Sequence, residues 1–134
     1  MIVTNQFPKG TSKPITENFA LDEFDCNCAL ETCHFTIIHP LVIKKVQELR
    51  KLLGVPLHLS SAFRCMPYNT SKAVGGSIKS KHPMGWAVDI VCPKDVPFQQ
   101  FAEACKAVFK YTIEYEDKNF VHCDIRVLLK RSWY

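Results

Sequence analysis

The apolar run Trp86-Ala87-Val88-Asp89-Ile90-Val91-Cys92 carries one carboxylate at its centre. It reads as a buried strand, and a buried carboxylate is costly unless it is paired or bound to a metal. Strand alternation puts Val88 and Ile90 on the face opposite Asp89. The fold must therefore bury one face of this strand in a core and supply a partner for the carboxylate on the other. Two imidazoles are candidates. His82 lies seven residues upstream, before Pro83 and Gly85 interrupt the backbone, and His122 sits in a second strand-like run, Phe120-Val121-His122-Cys123-Asp124. Two His and one Asp with a fourth position open suit a catalytic zinc, which keeps a place for water and lowers that water's pKa to about 7. The plainer alternative is an ion-paired Asp89 beside surface or core histidines.

The rest of the chain reads as scaffold for these pieces. Pro40 suits the first turn of a helix. Leu41, Val42, Val46, Leu49 and Leu52 or Leu53 then recur at helical spacing until Gly54 ends the pattern. Leu57-His58-Leu59-Ser60-Ser61 alternates as a short strand, with His58 pointing away from the core. Residues 63–80 form a long connection containing Pro67, Asn69 and the pair Gly75-Gly76, and long loops in small domains are often functional. Pro97 opens a second helix with an apolar face of Phe98, Phe101, Ala102, Cys105, Val108 and Phe109. Residues 111–115 and 120–125 read as a hairpin across the polar turn Glu116-Asp117-Lys118-Asn119. Near the start, a helical turn is expected at residues 21–24 and a tight cysteine-rich loop at residues 26–34. Residues 126–134 read as an aromatic-ended tail that folds back on the domain. The order predicts an α+β fold, a small, mostly antiparallel sheet with helices packed on one face.

Residues 1–15 read as an extended N-terminal arm and residues 16–134 as one domain, the size expected for 134 residues. No stretch approaches the apolar length of a membrane span, and the N-terminus lacks the pattern of a secretory signal. The net charge of +4 suits an anionic polymer such as bacterial cell wall, but no basic run with interleaved aromatics supports nucleic acid as a partner. The seven cysteines are an odd number, which argues against a fully paired disulfide framework. Cys92, Cys105 and Cys123 sit in apolar surroundings as small core residues. Cys26, Cys28, Cys33 and Cys65 supply the thiols for a second, structural zinc, with His34 as a substitute ligand. One or two disulfides, or free thiols, are the alternatives.

Several motifs now line up. Ser80-x-His82-x-x-Gly85-x-Ala87-x-Asp89 resembles the signature of the D-alanyl-D-alanine carboxypeptidase family of zinc peptidases. That family is grouped with VanX-type dipeptidases, phage endolysin peptidases and the hedgehog signalling domain. Ser61-Ala62-Phe63-Arg64 resembles its Ser-Gly-Tyr-Arg segment. Asn69 with Ala73-Val74-Gly75-Gly76 resembles its Asn-x-x-Val-Gly-Gly loop, and residues 120–126 resemble its closing Phe-Val-His-x-Asp-x-Arg. The likeness runs from about Asn18 to Arg126. It implies a hedgehog/D,D-peptidase-like fold, with His82, Asp89 and His122 as zinc ligands. It also implies Arg64 as a substrate-binding group, since a guanidinium can hold a carboxylate or carbonyl bidentately; a structural ion pair is the alternative. Ser80 is read as holding substrate or supporting a ligand, and Gly75 and Gly76 as permitting a tight turn near the cleft.

The chain departs from the family pattern at one point. Many members carry a carboxylate base three residues before the last His, where this chain has Asn119. Glu116 is the leading replacement, because the run Tyr115-Glu116-x-Lys118-x-x-Val121-His122-Cys123 resembles the hedgehog domain, where a Glu faces the zinc. Asp124 comes next, as base or as a partner orienting a ligand, and then Asp117. The expected activity is hydrolysis of peptide bonds in bacterial peptidoglycan, of carboxypeptidase or endopeptidase type, by a monomer. With no leader and no separate wall-binding domain, the expected setting is a phage or prophage product. It would be made in the cytoplasm and act on the wall after release, or be carried on the virion; a cytoplasmic dipeptidase is the other possibility. The reading from a different class is a non-catalytic zinc module that binds wall peptides.

Overall fold

The structure is a computed structural model that describes residues 5–71, 74–76 and 80–131. Its strands are β1 (Asn5–Pro8), β2 (Phe35–Ile38), β3 (Leu59–Ser61), β4 (Ala87–Val91), β5 (Tyr111–Tyr115) and β6 (Phe120–Asp124). Its helices are α1 (Pro40–Leu53), α2 (Met66–Asn69), α3 (Phe98–Phe109) and α4 (Arg126–Arg131), with single 3-10 turns at Leu21–Phe24 and Glu116–Lys118.

The strand built on Asp89 is central. The main sheet runs β3-β4-β6-β5 and every neighbouring pair is antiparallel. β5 and β6 form the expected hairpin, with Asn119 in the left-handed region at φ 60° closing the turn. β6 lies between β5 and β4, so α3 carries the chain across it. Alternation sorts the side chains as the sequence implied. Val88 and Ile90 of β4 and Val121 and Cys123 of β6 face the core, where Val42, Val46 and Leu49 of α1 and Phe101, Cys105 and Phe109 of α3 bury them. Asp89 and His122, direct partners across the β4–β6 ladder, share the other face. The helices thus shield one side of the sheet and leave the other for chemistry.

Helix α1 has the limits its sequence predicts. Pro40 opens it, His39 Nδ1 accepts the Leu41 N–H at 3.0 Å, and Gly54 closes it at φ 70°. His58 is exposed, as expected, and Cys92, Cys105 and Cys123 are buried in the core.

Three features were not anticipated, one being that residues 126–131 of the expected tail form helix α4. The N-terminal arm is not free: Asn5–Pro8 pairs antiparallel with Phe35–Ile38 in a separate two-stranded sheet. The long connection after β3 contains a turn of helix, α2. Ala73 of the glycine loop and the terminal aromatics Trp133 and Tyr134 lie outside the described residues. Among the described residues no helix is long and apolar enough to cross a membrane.

Candidate metal centre

Three elements converge on the open face. β4 supplies Asp89, β6 supplies His122, and the turn that leads into β4 supplies His82. That turn is tied by N–H bonds from Met84 and Trp86 to the Lys81 carbonyl and from Gly85 to the His82 carbonyl. Asp89 Oδ1 lies 3.2 Å from His82 Nε2 and 3.0 Å from His122 Nδ1. All three residues are at least nine-tenths buried. One ligand atom from each lies within 4.8 Å of the other two.

The surroundings decide which nitrogen of each ring carries hydrogen. His82 Nδ1 sits 2.6 Å from the carbonyl of Ala62, a pure acceptor, so this nitrogen must donate. His122 Nε2 lies 2.8 Å from Asp124 Oδ2 and must also donate. In the neutral rings the remaining nitrogens, His82 Nε2 and His122 Nδ1, then point lone pairs at a carboxylate oxygen. Three acceptors facing one another are reconciled by a proton on one ring or by a metal cation between them, and the His donor bonds behind them are those that orient zinc-ligating imidazoles. The donor set therefore fits zinc.

Charge around the centre is arranged accordingly. Burial pushes the Asp89 carboxyl up, but hydrogen bonds from His122 and His82 outweigh it and hold the group well below the usual carboxylate range. Burial pushes His122 down, and its bonds to Asp124 and Asp89 reverse this, so its pKa lies above the ordinary imidazole value. Asp124 is likewise held low against its burial, by His122 and Arg126.

Arg64 holds the second oxygen of the Asp89 carboxylate: its Nη2 donates to Asp89 Oδ2 at 2.9 Å. Its Nε donates to Ser61 Oγ at 2.9 Å and its Nη1 to Asn69 Oδ1 at 3.2 Å. The β3–β4 pairing explains this convergence, since Ser61 is the register partner of Asp89 and the chain leaves β3 directly into Ala62 and Arg64. Ser80 Oγ accepts the His82 N–H at 3.2 Å, supporting the turn that carries that imidazole.

The centre lies at the base of an open cavity of about 450 Å³. Arg64, Ser80, His82, Asp89 and His122 line it, together with Lys81, Tyr115, Lys118 and Arg126. Glu116 and Asp117 occupy the exposed 3-10 turn of the hairpin and are not part of its wall. Asp124 is fully buried behind His122. Among the described residues, Asp89 is the only carboxylate on the wall.

Residues without an assigned role in the sequence reading also contribute. Asn69 is fully buried and holds Arg64. Arg126 grips Asp124 through Nη2 at 2.7 Å and lies 3.8 Å over the Tyr111 ring. Both residues stand in the motifs quoted above, which was the available signal. Tyr115 and Lys118 stand in the hairpin run quoted above, but their place on the cavity wall could be read only by knowing which face of the hairpin meets it. Away from the cavity, the thiols of Cys26, Cys28, Cys33 and Cys65 come together as a second cluster.

A search of curated proteins returned no match. The Peptidase M15 family model matches residues 17–124, a span that contains β2 to β6 and every residue of the centre. With His82, Asp89 and His122 gathered on the open face and most of the chain matched, the chain belongs to the Peptidase M15 family, zinc peptidases that act on peptidoglycan-type peptides.

Proposed function

We propose that this chain hydrolyses a peptide bond of bacterial peptidoglycan next to a D-amino acid, with one zinc held by His82 Nε2, Asp89 Oδ1 and His122 Nδ1. The observation that carries the reading is the convergence of three acceptor atoms whose hydrogens are directed elsewhere, at the base of an open cavity. When bound there, zinc supplies a Lewis acid for the scissile carbonyl and a water of lowered pKa.

The chain's own residues do the rest. Ala62 and Asp124 hold the two rings from behind. Arg64 fixes the outer oxygen of Asp89, and its guanidinium carries five N–H donors, more than its three hydrogen bonds among the described residues use. The remaining donors bind a substrate carboxylate or carbonyl. Ser80 supports the His82 turn at the cavity edge. Glu116, on the hairpin turn between Tyr115 and Lys118 of the cavity wall, is the residue to which we assign the base that takes a proton from water and returns it to the leaving amine.

A specific observation favours the non-catalytic alternative, a module that binds wall peptides: the described cavity wall offers no carboxylate besides Asp89. Incubation with purified peptidoglycan, with and without a chelator, separates the two. New free amines that vanish on chelation support the enzyme, and binding without new amines supports the module. Mass spectrometry of the products then distinguishes loss of a terminal residue from cleavage of cross-links. Glu116→Ala is expected to abolish hydrolysis with zinc content intact; retained activity transfers the role to Asp117, since Asp124 is buried behind His122 and engaged by Arg126.

A further inference from the structure

The four early cysteines arrive at one point from two directions. Cys26, Cys28 and Cys33 lie on the irregular loop after the first 3-10 turn, and Cys65 caps the start of α2. Their sulfurs all lie within 4.8 Å of one another. Cys26 Sγ is 3.8 Å and Cys28 Sγ 3.7 Å from Cys65 Sγ. A tetrahedron of thiolates around zinc, with Zn–S bonds of about 2.3 Å, has edges of about 3.8 Å. We propose that Cys26, Cys28, Cys33 and Cys65 bind a second zinc ion, a structural four-thiolate centre that fastens the N-terminal loop to the corner carrying Arg64.

The surroundings suit a thiolate–metal centre. The Cys65 N–H points at Cys26 Sγ at 3.4 Å. Lys9 Nζ donates to Cys28 Sγ at 3.6 Å and to the Cys28 carbonyl at 2.9 Å. Four thiolates on a divalent ion leave excess negative charge, and the Lys9 ammonium lies where it offsets part of it. The apolar support is thin, because Cys26, Cys33 and Phe63 form a small core cluster apart from the main one, with Ile37 and Tyr68 packed against it. A loop with so little to bury gains its order from a cross-link, and a metal supplies one as folding energy.

The centre also bears on the cavity. Cys65 follows Arg64, whose guanidinium holds the outer oxygen of Asp89. Anchoring Cys65 anchors the residue that orients a ligand of the first site. The second centre itself needs no hydrolysis, so it stands apart from the proposed activity.

The test is metal content by mass spectrometry on the full chain, purified under reducing conditions with zinc supplied. The wild type is expected to hold about two zinc ions and His82→Ala/His122→Ala about one. The cobalt-loaded double variant should show the intense near-ultraviolet band of thiolate-to-cobalt charge transfer. Cys26→Ser/Cys65→Ser should lose that band and one equivalent; should it fail to fold, the histidine variant still decides. Absence of metal from His82→Ala/His122→Ala overturns the proposal. So does an equivalent of iron in place of zinc, native reactivity of the thiols of Cys26, Cys28, Cys33 and Cys65 in the zinc-supplied protein, or a disulfide among these four cysteines. Metal retained in that variant with no hydrolysis by the wild type sinks the proposed function alone; hydrolysis by a wild type holding one zinc sinks the second centre alone.

Discussion

Asp124 does its work entirely behind the metal centre. Its two oxygens accept from His122 Nε2 and from the backbone N–H, Nε and Nη2 of Arg126, while the residue has no solvent exposure. It holds the His122 ring so that Nδ1 faces Asp89. Asp124→Asn replaces an acceptor with an NH₂ among these donors and removes the charge opposite Arg126. Zinc affinity at the His82–Asp89–His122 centre is expected to fall about 10- to 100-fold, as measured by competition with a chromogenic chelator. His122 also makes that centre sensitive to pH. Its pKa is raised in the metal-free fold, so stability from its ion pairs is fully present below the ordinary imidazole value and is lost as pH rises through the raised one. Zinc must displace the same proton. Metal-free protein should therefore lose stability as pH rises across that window while apparent zinc affinity increases. Thermal melts and calorimetric zinc titrations at several pH values check both signs.

At the scale of elements, the grip on Arg64 depends on how α2 meets the glycine loop. Asn69 ends α2 and accepts from Arg64, and its carbonyl accepts the Gly76 N–H at 2.7 Å. A Cβ built on Gly76 would lie 2.3 Å from Asn69 Oδ1 and 2.6 Å from the Asn69 carbonyl oxygen. The second glycine of the pair thus serves close approach, while Gly75 supplies the turn at φ 65°. Gly76→Ala must push Asn69 away and is expected to cost about 1–3 kcal/mol, read as a lower urea midpoint at unchanged m. Helix α1 and the β5–β6 hairpin were legible because period and punctuation agree over many residues. The β1–β2 pair was not: each strand spans only four residues, and its pairing joins segments far apart in the chain.

Over the whole molecule, charge is uneven at the cavity. Arg64, Lys81, Lys118 and Arg126 stand on its wall against Asp89, on a chain of net charge +4. Arg64 and Arg126 are engaged by Asp89 and Asp124, so the field available to an incoming anionic peptide comes chiefly from the two lysines. Raising salt from about 0.05 M to about 0.5 M shortens the screening length to a few ångströms. The expected outcome is a KM that rises several-fold with kcat little changed, measured on soluble peptidoglycan fragments. A kcat that falls in parallel would assign the salt effect to the centre itself.

The sequence by itself set Asp89 and His122 on the sheet face opposite the core and, through its motifs, pointed to His82, Asp89 and His122 as the candidate metal site. A carboxylate inside an apolar strand needs a counter-charge, and alternation separates it from the core residues on either side. It also determined helices α1 and α3, through period and opening prolines, and the family, through motifs in order. What the tertiary structure decided is how residues far apart share one carboxylate: Asp89 gives one oxygen to two imidazoles and the other to Arg64. It decided that Asp124 lies behind His122, buried and committed, and that Glu116 sits on an exposed turn. It brought four cysteines from two segments together. These are matters of distance between chain segments, which loop closure and packing set and local pattern does not encode.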